Sequence, residues 1–148
     1  MAGPWRWTAS PVGWVVLLLS WSILGCGQPP AKPEPEAKVR LTKLLRLYQV
    51  YVEKNKKGPP SEQVLRDFGQ KLTPQERDEY LIGDDLDSIF TSPRDNQKYV
   101  VHYNLKLDPG QTRAVAWEAT GQGGLRFVAL SLGYVEEYDD ETFKQYKK

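Results

Sequence analysis

The sequence predicts an α+β domain: one long N-terminal helix and short helices, then a three- to four-stranded antiparallel sheet and a C-terminal helix. Three observations carry this. Leu41, Leu44, Leu45, Tyr48 and Val52 recur at i, i+3, i+4, i+7 and i+11, the period of one helical face. From Tyr99 onward, short runs of β-branched and aromatic residues alternate with turn formers, and helices followed by strands define the α+β class. Hydrophobic residues make up 40% of the 148-residue chain and charged ones 26%, the balance of a chain that folds.

Each element has its own signal. The first helix is expected to start near Lys38 and to stop at Gly58, where glycine can take a left-handed cap and Pro59-Pro60 cannot continue it. Ser61 can cap a second helix holding Val64, Leu65 and Phe68 and closed by Gly69. Thr73-Pro74-Gln75-Glu76 has the form of a capping box with proline at the first helical position, opening a third helix through about Tyr80. Ser92-Pro93-Arg94-Asp95-Asn96 reads as a turn. Strands are expected over 99–103, 114–118 and 125–130, with a Pro-Gly turn at 109–110 and a Gly-rich loop at 121–124. Gly133 allows a reversal into a fourth strand at 134–136, and Asp139 or Asp140 can cap a closing helix carrying Phe143 and Tyr146.

The first 25 residues differ from the rest. They contain no acid and a single base, Arg6, ahead of an apolar run over 14–24. As a helix that run would span about 16 Å, roughly half of a bilayer's hydrocarbon core, too short to cross and suited to the centre of a signal peptide. It ends in Ile23-Leu24-Gly25-Cys26, which matches the lipobox of bacterial lipoproteins. The aliphatic residue at −3 and the small one at −1 are what the cleaving peptidase accepts before a cysteine bearing diacylglycerol; Leu24 at −2 is bulkier than usual. Cys26 is the only cysteine, so an internal disulfide is excluded and lipidation gives the thiol a role. The expected organisation is a signal peptide at 1–25, a lipidated cysteine and Pro-rich spacer at 26–37, and a folded domain at 38–148.

Within 27–37 the prolines at 29, 30, 33 and 35 exclude helix and favour an extended spacer, about 3.1 Å per residue. The expected location is the cell membrane or outer membrane, with the domain outside the cytoplasm; Gly27 after the cysteine, instead of Asp, permits outer-membrane delivery. Beyond residue 25 the chain carries 19 basic and 19 acidic side chains, a neutral balance that makes no electrostatic case for nucleic acid. Lys54, Lys56 and Lys57 read as the solvated end of the first helix.

Residues 44–51 followed by Gly58-Pro59-Pro60 form one group of motifs, and Ile89-Phe90-Thr91-Ser92-Pro93-Arg94-Asp95 before Tyr99-Val100-Val101 a second. Ala114-Val115-Ala116-Trp117-Glu118 and the run 126–135 complete the set. Together these resemble the headpiece of type IV pilins and major pseudopilins, in particular a pilin-like family of secreted bacterial proteins. The resemblance implies a long helix against an antiparallel sheet, and by analogy a calcium site in the loop region. It departs at Leu132-Gly133-Tyr134, where the family commonly has Asp-Gly-His, and at the front, where a lipid and a spacer stand in place of the apolar filament stem.

No catalytic constellation stands out. His102 is the only histidine and sits in a strand-forming run, which leaves little for a Ser-His-Asp or zinc arrangement. Gly121-Gln122-Gly123-Gly124 lacks the Lys and Ser/Thr of a phosphate loop. Asp84, Asp85 and Asp87, with Asp95 nearby, form the one cluster that could hold a hard cation, with calcium as the candidate, but no calcium-loop motif is present and a solvated loop with helix-cap acids is the favoured reading. Trp5, Trp7, Trp14 and Trp21 lie in the removed segment; Trp117 and Tyr48, Tyr51, Tyr99, Tyr103, Tyr134 and Tyr138 are expected in the core or on the sheet face.

The expected function is therefore non-enzymatic: a lipid-anchored domain that binds an envelope protein or glycan, with no cofactor beyond the lipid on Cys26. One alternative is a small periplasmic hydrolase using two of Asp84, Asp85, Asp87, Asp95, Glu118 and Glu136 about 5–10 Å apart. Another is an accessory to a pseudopilin secretion assembly.

Overall fold

The computed structural model describes residues 34–106 and 110–147. The chain divides into two units, Met1–Lys32 and Pro33–Lys148, and every described residue belongs to the second. The signal peptide, Cys26, most of the proline spacer and Pro109 lie outside the described residues.

Helix α1 runs over Glu36–Asn55, with Pro35 at its N-cap and Glu36 in the first turn, where a negative charge meets the positive end of the helix dipole. Its end differs from expectation. Lys56, not Gly58, takes the left-handed cap conformation (φ 60°) and returns its N–H to the Val52 carbonyl. Gly58 is required for another reason: a Cβ there would collide with the Tyr48 hydroxyl and lie 2.8 Å from the Leu105 backbone. Helix α2 covers Glu62–Lys71, capped by Ser61, whose side chain accepts from the Val64 N–H. It passes through Gly69 instead of stopping there, because the missing side chain lets the helix press against Leu47, whose methyls would lie 3.3 Å from a Cβ. Helix α3, Pro74–Glu79, forms both halves of the Thr73–Glu76 capping box.

After a 3-10 turn at Ser88–Phe90, the chain builds a four-stranded antiparallel sheet in the order β1-β2-β3-β4. The strands are β1 (Val100–Val101), β2 (Ala114–Trp117), β3 (Leu125–Leu130) and β4 (Val135–Asp139), and α4 (Asp140–Tyr146) closes the chain. The first strand is shorter than expected. His102 lies beyond the strand yet still donates its N–H to Val115 of β2, and the backbone then turns through Tyr103 and Asn104, the latter at φ 57°. The fourth is longer, because Glu136, Glu137, Tyr138 and Asp139 pair in register with Val128, Phe127, Arg126 and Leu125.

Strand alternation divides the interior in two. Phe127, Ala129 and Val135 join Leu41, Leu44, Leu45 and Tyr48 of α1 in one core. Val128, Leu130, Ala114 and Trp117 join Phe143 of α4 in the other. A register shift between Ala114 and Ala116 interrupts the alternation, so that Val115 and Ala116 both serve the α1 core. Two tyrosines fasten α1 to the sheet edge. The Tyr99 hydroxyl donates to the Ala37 carbonyl at 2.8 Å, and the Tyr48 hydroxyl donates to the His102 carbonyl at 3.0 Å. Burial pushes the Tyr48 hydroxyl up to about 12.

Candidate functional site

The acidic loop does not assemble a cation cage. Asp84 pairs with Arg77 at 3.1 Å and Asp87 with Arg66 at 2.7 Å. The Asp85 carboxylate accepts from the Ser88 N–H at 3.1 Å at the start of the 3-10 turn, which holds its pKa below the usual carboxylate value. Among the described residues no group of three His, Cys, Asp or Glu side chains gathers as metal ligands would. Calcium at this loop would have to displace two guanidinium groups.

Asp95 and Glu118 each hold their own set of structural partners. Partial burial disfavours the charge on Asp95, but N–H groups of Gln97, Thr120 and Gly121 outweigh it and lower the pKa. One of its oxygens accepts from Thr120 N at 3.1 Å, Thr120 Oγ1 at 3.0 Å and Gly121 N at 3.1 Å, which pins the loop after β2. Glu118 is 0% exposed. It accepts from the Ser92 hydroxyl at 2.6 Å and from the Phe127 N–H at 2.9 Å. Arg94 supplies the compensating charge. Its Nε, 3.7 Å from Glu118 Oε1, has no hydrogen-bond partner and interacts with the carboxylate through space. Its other nitrogens reach Glu137 at 2.6 Å and the carbonyls of Leu125 and Gln122, while the guanidinium lies 4.5 Å from the Phe127 ring centre. Every oxygen of Glu118 is thus committed to holding the turn at 92–97 against β2 and β3.

Glu136 lies on the outer strand and accepts from the Tyr138 hydroxyl at 2.5 Å. None of the six carboxylates named from the sequence lines the α1–α2 groove, the groove at α4 or the groove along α1 beside α3. His102 is half-buried and uses its backbone, its N–H donating to the Val115 carbonyl at 2.8 Å.

Exposed apolar side chains mark a different surface. Gly133, at φ 99°, makes the turn between β3 and β4 and sets Leu132 (59% exposed) and Tyr134 (42%) on either side of it. That turn rests on α1: a Cβ on Gly133 would lie 3.2 Å from the Gln49 side-chain amide. Along the same stretch of α1 runs an open groove of about 200 Å³, lined by Arg46, Gln49, Val50 and Glu53 with Glu79 and Tyr80 of the α3 end. Leu81, next to Tyr80, is 61% exposed and holds a left-handed conformation at φ 55°. A larger groove of about 490 Å³ lies between α1 and α2, with Tyr51 and Phe68 edge to face at 5.1 Å and Lys54 and Lys71 beside them.

The Ser92–Glu118–Arg94 cluster has no signature in the chain, since its members come from segments 26 residues apart. The apolar turn at 132–134 is legible as a glycine flanked by two large side chains where turns usually carry polar ones. Among the described residues no helix is long and apolar enough to cross a membrane. No family model, curated protein or solved structure matches this chain.

Proposed function

We propose that this chain is a bacterial lipoprotein whose α+β domain, held on a membrane by lipid at Cys26, binds an envelope protein or glycan and has no catalytic role. The observation that carries the reading is one of order along the chain. A single cysteine follows Ile23-Leu24-Gly25, and the proline-rich run after it ends at Pro35, the N-cap of α1. Anchor, spacer and domain follow one another directly, as display at a membrane surface requires. Several acyl chains on one cysteine would anchor stably, each buried methylene adding about 0.8 kcal/mol. A long helix against an antiparallel sheet is also the arrangement that the pilin-head resemblance implies.

The test compares wild type with Cys26→Ser by intact mass and membrane fractionation. The expected wild type begins at residue 26, carries added lipid mass and sediments with membranes, while the variant loses the lipid and is not cut at that site. A soluble, unlipidated wild type cut elsewhere overturns the anchor and with it the envelope reading.

A further inference from the structure

Two of the charges along the groove on α1, Arg46 and Glu53, form a pattern complementary to itself, while the third, Glu79, lies at the α3 end. Arg46 and Glu53 are both exposed, and neither makes a hydrogen bond or ion pair among the described residues. They are separated by seven residues, two helical turns or about 10 Å along the axis. Gln49 and Val50 lie midway between them. A two-fold axis passing through that midpoint exchanges the two positions, so each arginine of one copy meets the glutamate of the other. The rim of the groove adds apolar surface, Leu132 and Tyr134 on the hairpin side and Tyr80 with Leu81 at the α3 end. Leu81 also holds a backbone conformation that non-glycine residues rarely adopt.

We propose that this face is where two copies of the chain associate, with their α1 helices antiparallel and Arg46 of each opposite Glu53 of the other. Apolar burial at the rims supplies the affinity. The two symmetric charge pairs set the register, because exposed ion pairs contribute little strength and much specificity. The inference does not depend on the lipid anchor, since association is read separately from membrane attachment.

Sedimentation of the full chain, in detergent where it carries lipid, tests it with Arg46→Glu and Glu53→Arg. Wild type is expected to sediment as two copies. Each variant places like charges opposite each other twice and is expected as one copy, still folded by circular dichroism because both sites are exposed. An equal mixture of the two variants restores both attractive pairs and is expected to recover the two-copy species. A single-copy wild type, a variant that stays paired alone, or a mixture of folded variants that stays single-copy overturns the proposal.

Discussion

Ser92 and Glu118, 26 residues apart in the chain, share a 2.6 Å hydrogen bond in the fully buried interior, and Arg94 neutralises the carboxylate from 3.7 Å. A buried ion pair is costly to break because removing one member leaves the other without compensation. Glu118→Ala strands the Ser92 hydroxyl, the Phe127 N–H and part of the Arg94 charge. The expected loss is about 3–5 kcal/mol in urea unfolding. Ser92→Ala removes one donor and is expected to cost about 1–3 kcal/mol. Equal, small effects from both would mean that the cluster contributes nothing to stability.

Gly58 and Lys56 make opposite predictions two residues apart. Gly58→Ala drives a methyl into Tyr48 and the Leu105 backbone and is expected to destabilise by about 1–3 kcal/mol. Lys56→Gly relieves a left-handed lysine at the α1 cap and is expected to stabilise by up to about 1 kcal/mol. Thermal midpoints of the two variants should therefore move in opposite directions.

Lys54 and Glu76 join α1 to α3 at 2.9 Å. The hydrogen bond from Lys54, with that from the Thr73 N–H, lowers the Glu76 carboxyl from 4.5 to about 2. A carboxyl depressed in the folded state stabilises it fully above its unfolded pKa, and that contribution fades as pH falls from about 4.5 to about 2. Glu76→Gln should flatten this part of the acid unfolding curve. Added salt should weaken the wild-type contribution, since the pair is exposed to solvent.

What was legible in the sequence was local. The stripe at 41, 44, 45 and 48, the Ser61 and Thr73 caps and an aspartate cap of α4, left open between Asp139 and Asp140 and found at Asp139, each depend on neighbours within a few residues. Glycines were visible as positions but not as reasons. Gly58 and Gly69 were expected to end helices, and instead each admits another segment at close range, Leu105 and Tyr48 at one, Leu47 at the other.

The chain alone determined the class of the fold, the order of its elements and the cysteine-and-spacer pattern from which an anchor is proposed, because periodicity, caps and short motifs are written between near neighbours. Tertiary structure decided which carboxylates have partners. It buried Glu118 against Ser92 and Arg94, separated Asp84 from Asp87 by giving each its own arginine, and brought the 132–134 turn onto Gln49 of α1. Those pairings join residues far apart in sequence, and only packing of helix on sheet brings them within reach.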